Sequence, residues 1–245
     1  MKKLIIIFTT LISLINTNAS ESLFIQGNEE YINENYEMAI SLYDSIISNG
    51  FESSELFYNL GNCYYKKQDW ANAIWYYEKS LKQNAANENA SYNLEITNLK
   101  IIDRIEAIPQ LFYKIWWKNI INLFSTKTRQ ILAIICTWAI LIVQLLKHVK
   151  KIRRGYISTV LNLLTLILFA TSYSSYEKTH NKMGAIVFSA SVVVNSAPTE
   201  NSTNLFTLHS GTKVELIDQI GKWINIKIAN GNNGWIKESH CKILD

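Results

Sequence analysis

Cysteine is scarce in this chain, and where it stands excludes more than its number does. Cys63, Cys136 and Cys241 are an odd count and fall in three segments of different character, so no structural disulfide is expected. No Cys-x-x-Cys pair occurs, which removes the usual redox motif. Cys63 sits inside a helical pattern where a small, buried filler suits better than a reactive thiol. Histidine is as sparse. His148, His180, His209 and His240 are far apart and lack the i, i+4 spacing of a helical metal site. His240 and Cys241 are adjacent, yet neighbours on a strand point to opposite faces, and no third ligand is near. A Gly-x-Ser-x-Gly elbow and a phosphate-binding loop are also missing. The expectation is a protein with no catalytic residue, no metal and no cofactor.

Positive charge is lacking where a nucleic-acid partner would need it. The net charge of +4 is the remainder of opposed blocks. Residues 20–103 hold 5 basic and 13 acidic side chains, residues 104–184 hold 12 basic and 2 acidic, and residues 185–245 hold 5 of each. Neither end of the chain offers a basic face, so nucleic acid is excluded as a partner. The basic excess flanks two apolar runs, where anionic lipid head groups would attract it.

Those runs are Ile131 to Leu146 and Tyr156 to Tyr173, separated by Lys147, Lys150, Lys151, Arg153 and Arg154. At about 1.5 Å per residue they nearly match a hydrocarbon layer of about 30 Å. They predict a transmembrane hairpin, with helices at 130–146 and 156–173 and a cytoplasmic basic turn at 147–155. The start of the chain has the order of a secretory signal: Lys2 and Lys3, then apolar residues to Ile15, then Thr17-Asn18-Ala19. No cysteine follows that run, so lipoprotein processing is not expected. Residues 1–19 are therefore read as a signal peptide. The whole is read as a multi-pass inner-membrane protein, in contact with the lipid bilayer, with both soluble parts on the external side. Between them, residues 108–125 carry Ile108, Leu111, Phe112, Ile115, Trp116, Ile120, Leu123 and Phe124 at helical spacing, which predicts an amphipathic connector lying in the interface.

The front segment, residues 20–107, repeats itself every 34 residues. Gly27-Asn28 recurs as Gly61-Asn62, Tyr36 as Trp70, Ala39-Ile40 as Ala73-Ile74, and Tyr43 as Tyr77. That period and these residue types resemble the tetratricopeptide helix-turn-helix unit. Gly27 and Gly61 would let paired helices approach closely, Ala39 and Ala73 would provide the small contact opposite, and Tyr36 and Trp70 would fill the wedge. Asn59-Leu60 maps onto Asn93-Leu94, but Glu95 stands where Gly61 has its counterpart. Residues 88–105 therefore read as a capping helix. Stacked units would line up Asn28, Asn59, Asn62 and Asn93, with Tyr31 and Tyr65 alongside. A side-chain amide gives both donor and acceptor, which suits the backbone of an extended peptide. Phe24 occupies the place of an expected lysine, so capture of a terminal carboxylate is disfavoured.

After Tyr173 the pattern becomes short alternating runs with turns between them, a small all-β domain over 185–245. Asn195-Ser196-Ala197-Pro198, Leu205-Phe206 with Gly211-Thr212, Gly221-Lys222-Trp223 and Gly234-Trp235-Ile236 resemble a bacterial SH3 barrel. Trp223 and Trp235 are its candidate ligand aromatics.

The order of signal, tetratricopeptide units, basic-turn hairpin and terminal SH3-like barrel resembles the BatE family of the Bacteroides aerotolerance operon. That resemblance implies membrane-anchored von Willebrand A-type and other Bat proteins as partners, in a complex of oxygen or envelope-stress tolerance. The expected function is a non-enzymatic, membrane-anchored scaffold with two recognition modules; the alternative is peptidoglycan binding or sensing through the barrel.

Overall fold

The computed structural model describes residues 20–106, 108–109, 111–113, 115–117, 126–150, 155–180 and 183–244. The expected signal segment at 1–19, residues 118–125 of the connector and residues 151–154 of the basic turn lie outside the described residues. The chain divides into two compact units. One joins residues 1–106 to 184–245, and the other is 107–183.

In the first unit five helices run in order: α1 (20–32), α2 (Tyr36–Ser48), α3 (Ser54–Lys66), α4 (Trp70–Gln83) and α5 (Glu88–Asn98). Their starts are written in the sequence. Ser53, Asp69 and Asn87 each accept a hydrogen bond from a backbone N–H in the first turn of α3, α4 and α5, satisfying donors a helix leaves open. The 34-residue period reappears in the backbone, because Glu34 and Gln68 adopt matching left-handed conformations, φ 63° and 61°, at the turns α1–α2 and α3–α4. It also reappears in the packing. A Cβ added at Gly27 would lie 2.5 Å from the Tyr43 ring, and one at Gly61 2.5 Å from the Tyr77 ring. Ala39 and Ala73 are fully buried. The core gathers Tyr43, Leu56, Phe57, Leu60, Cys63 and Ile74.

The capping helix, α5, is shorter than the 88–105 expected. It ends at Asn98, and residues 99–106 leave it to meet the β-domain. That domain has seven strands: β1 (Gly184–Val187), β2 (Ser191–Asn195), β3 (Asn204–His209), β4 (Lys213–Ile220), β5 (Trp223–Lys227), β6 (Asn233–Lys237) and β7 (Cys241–Leu244). They form one antiparallel sheet in the order β3-β2-β6-β5-β4-β1-β7. Alternation places Val192, Val194, Ile224, Ile226 and Ile236 in its core. The small barrel expected is seen as a seven-stranded sheet with β3 and β7 at the two ends of its strand order. At β7 the carbonyls of Ile243 and Leu244 accept hydrogen bonds from the Trp75 indole (3.1 Å) and the Lys82 ammonium (3.2 Å) of α4.

The helical repeats and the sheet are thus one body. Trp75, Glu78 and Lys82 lie on one face of α4 by their i, i+3, i+7 spacing. Glu78 pairs with Lys213 at 2.6 Å, and the Lys242 ammonium stands 3.5 Å from the centre of the Trp75 ring. Ile186 and Leu244 of the sheet join the same core as Leu56 and Ile74. Opposite them, Asp103 accepts from the His209 backbone N–H (2.6 Å) and the Thr212 hydroxyl (2.6 Å), and its other oxygen is 2.7 Å from His209 Nδ1. In a repeat array the second helix of one unit is covered by the next unit. Here α5 packs on α4, no second helix of that next unit follows it among the described residues of the first unit, and the sheet covers a further face of α4.

The second unit contains two longer helices, α6 (Thr126–Lys150) and α7 (Gly155–His180), which pack on each other. Thr137 and Thr171 return their hydroxyls to the carbonyls of Ala133 and Ile167. Ile134, Trp138, Leu145, Leu163, Leu166 and Phe169 are exposed. The transmembrane hairpin, and with it the inner-membrane localisation, is corrected here. Among the described residues no helix is long and apolar enough to cross a membrane. The apolar runs rise only about 24 and 27 Å against about 30 Å of hydrocarbon. Asn162, Thr165 and Thr171 further dilute the second. The connector shows helical backbone at Phe112, Tyr113 and 115–117, too little to fix an amphipathic face.

Candidate functional site

The four asparagines stand as two hydrogen-bonded pairs, Asn28 with Asn59 and Asn62 with Asn93, and not as a row of free amides. Asn28 Oδ1 accepts from the Tyr43 hydroxyl (2.7 Å) and from Asn59 Nδ2 (2.9 Å). One repeat further on, Asn62 Oδ1 accepts from the Tyr77 hydroxyl (2.8 Å) and from Asn93 Nδ2 (2.8 Å). Each network links the two helices of a unit and then the first helix of the next. Burial, the largest cause, pushes both tyrosine hydroxyls well above their ordinary range, so they remain donors at any physiological pH. The oxygens of Asn28 and Asn62 are thereby taken. Their Nδ2 groups have no partner among the described residues and remain as donors.

Tyr43 and Tyr77 are the hydrogen-bonding partners that the sequence reading missed. Their signal was present, since they recur at the repeat period, but nothing in the pattern tied a second-helix tyrosine to a first-helix asparagine 15 residues earlier.

Aromatic rings flank the amides. Phe24 leans on Tyr43 (centroids 5.9 Å apart) and Tyr58 on Tyr77 (6.1 Å). Tyr31 leans on Tyr36 (5.5 Å) and Tyr65 on Trp70 (5.4 Å, edge-on). Tyr31 and Tyr65 are half-buried, and Tyr92, the counterpart of Tyr58 on α5, is 65% exposed. The first helices thus carry rows of rings at the repeat period, each first-helix ring on α1 and α3 steadied by a second-helix ring of its own unit.

On the sheet, Trp223 and Trp235 share a face of the β5–β6 ladder but not a site. Trp223 lines a shallow groove of about 300 Å³ with Ser191, Asn195, Glu200, Asn204 and His240. Lys237, paired with Glu200, stands 5.7 Å from the Trp223 ring. Trp235 lies opposite Asn195 and Asn225 in the ladder and does not line that groove.

His240 is tied to Ser189, 2.7 Å from Nδ1 to Oγ. Among the described residues no group of three His, Cys, Asp or Glu side chains could hold a metal ion. Burial pushes the Cys63 thiol up to about 12 and the Cys241 thiol up to about 11. At pH 8 a thiol at its ordinary value is about a quarter ionised, so Cys63 should carry about a thousandfold less thiolate and Cys241 over a hundredfold less. Iodoacetamide labelling followed by mass spectrometry should show both reacting at least a hundredfold more slowly in the folded chain than in urea. Equal rates would mean that the repeat core and the β7 edge open readily.

Residues 54–87, which hold α3 and α4, match the tetratricopeptide repeat family. No curated protein matches the chain. The repeat family, the period of 34 and the inter-unit amide networks agree, and the chain contains a tetratricopeptide repeat within a helical array.

Proposed function

We propose that the protein is a non-enzymatic adaptor that holds a partner protein through the first-helix face of its repeats. The observation that carries this is the pair of equivalent amide networks with flanking rings, a surface repeated in register on one compact unit and suited to an extended chain. The sheet acts as the closing member of that unit. Its seven antiparallel strands, with a single 3-10 turn at Glu238–His240 before β7, support an SH3-like descent. The resemblance to BatE now rests on the repeats and the terminal sheet. It extends the proposal to partners of the von Willebrand A type in an aerotolerance or envelope-stress assembly. The Trp223 groove supports a second reading, in which the sheet binds cell-wall material.

Cross-linking mass spectrometry on cells producing the tagged full chain tests the first reading. Cross-links from a defined protein should map to α1, α3 and α5 and disappear in a Tyr65→Ala, Tyr92→Ala variant whose melting is unchanged. Cross-links that persist in that variant and map to the sheet would move the function to the Trp223 groove.

A further inference from the structure

The outer face of the sheet holds polar groups that the fold does not use. On β2, Ser191, Val193 and Asn195 alternate with the core residues Val192 and Val194, so they face outward. Trp223 and Lys237 stand opposite each other in the β5–β6 ladder, each beside a core isoleucine, Ile224 and Ile236, and so share that face. With Asn204 and His240 they line the groove of about 300 Å³. The side chains of Ser191 and Asn204 and the Trp223 indole N–H have no hydrogen-bond partner among the described residues. Asn195 is only 8% exposed. Its Nδ2 reaches the Thr199 carbonyl at 3.4 Å, while its Oδ1 accepts nothing among the described residues, although a buried acceptor is normally bonded. His240 meets Ser189 through Nδ1 at 2.7 Å and leaves Nε2 without a described partner. The charges, in contrast, are spent: Lys237 pairs with Glu200 and stands 5.7 Å from the centre of the Trp223 ring.

That lining selects its ligand. Hydroxyl and amide side chains both donate and accept, which matches an alcohol, itself donor and acceptor, better than a carboxylate, which only accepts, or an ammonium, which only donates. A charged ligand would also lose hydration with no free counter-charge to meet. The half-buried indole adds a wide, flat apolar surface. A pyranose ring carries hydroxyls round its rim and C–H bonds on its faces, so it lays one face on the indole and turns its rim to Asn195, Asn204 and Ser191. We propose that the groove binds a neutral sugar unit of a glycan chain, stacked on Trp223. This rests on the reading in which the sheet binds cell-wall material, and it names the component bound: uncharged glycan, not a charged peptide.

Isothermal titration of the full chain, with saturation-transfer NMR on the same samples, tests it. The probes are the trimers of N-acetylglucosamine, of glucose and of galacturonic acid, and the peptide Ala-Glu-Lys-Ala. A neutral trimer should bind at least tenfold more tightly than the acidic trimer and the peptide, about 1.4 kcal/mol, and its ring protons should receive saturation. Trp223→Ala and Asn204→Ala should each weaken that binding at least fivefold. Trp235→Ala, in the same ladder but outside the groove, should leave it within twofold. Asn204 is exposed, so its replacement tests the groove even if Trp223→Ala disturbs the sheet. Equal or tighter binding of the peptide or the acidic trimer, or neutral-trimer binding that both groove variants leave unchanged, would overturn the proposal. If no probe binds while purified cell wall still sediments the full chain, the sugar proposal falls and the wall-binding reading stands. If the wall does not sediment it either, both fall.

Discussion

Gly61→Ala should destabilise the protein by about 2–3 kcal/mol, although the same change in an ordinary helix interior stabilises by roughly 0.5–1 kcal/mol. The sign is decided by the second helix. A Cβ at Gly61 would sit 2.5 Å from both Cδ1 and Cε1 of Tyr77, where carbon atoms prefer about 3.5–4.0 Å. The ring has nowhere to go, because Tyr77 is fully buried and its hydroxyl is held by Asn62, which also holds Asn93. Moving the ring by about 1 Å therefore strains the packing of one unit and stretches the bond that joins it to the next. At about 2–4 °C per kcal/mol for a chain of this size, the helical signal should melt roughly 5–10 °C lower. Shortening the obstructing side chain should relieve the clash. The double variant Gly61→Ala, Tyr77→Leu should show a favourable coupling of about 1–2 kcal/mol relative to the sum of the single changes. A neutral or stabilising Gly61→Ala would mean that the close helix approach is not what the repeat depends on.

The repeat could be found before the structure because its constraints are local and doubled. Gly27 and Gly61, Ala39 and Ala73, and Tyr43 and Tyr77 answer one another at a fixed distance along the chain, so one unit interprets the other. The asparagine positions were legible for the same reason. Their partners were not, because a hydrogen bond from Tyr77 to Asn62 leaves no trace in hydrophobic period. The sheet was foreseen as strands and turns, yet its place against α4 was not. Trp75, Glu78 and Lys82 look like an ordinary polar and aromatic helix face until Ile243, Lys213 and Leu244, far later in the chain, are brought to them. The two long apolar runs were read from hydropathy and from the basic turn between them, and apolar stretches of about 16 residues do not separate a membrane span from a helix pair of other purpose.

Asp103→Asn should loosen the sheet from the repeats without unfolding either. Asp103 has little exposed side chain, and it receives three polar contacts from the turn between β3 and β4, two of them from His209 and one from Thr212. An asparagine keeps one acceptor oxygen and turns an amino group toward donors it cannot satisfy. Hydrogen bonds to a charged group contribute about 1.5–3 kcal/mol each, so a cost of about 2–4 kcal/mol is expected at this joint. Burial alone would push the Asp103 carboxyl up. The bonds from Thr212 and His209, with the His209 charge, outweigh it and hold the group below its ordinary value. A carboxylate lowered by folding contributes stability that is complete above its unfolded value of about 3.9 and is lost as the pH falls through the lower folded value. The wild-type joint should therefore weaken only in acid, below about pH 4, and Asp103→Asn should remove that acid dependence. Amide hydrogen exchange at His209, whose N–H the carboxylate holds, reads the joint directly. Exchange should accelerate at pH 7 in Asp103→Asn while the Tyr77–Asn62 region keeps its protection. Unchanged protection at His209 would show that Trp75, Lys82 and Lys213 fasten the sheet on their own, and that the carboxylate only completes a surface already closed.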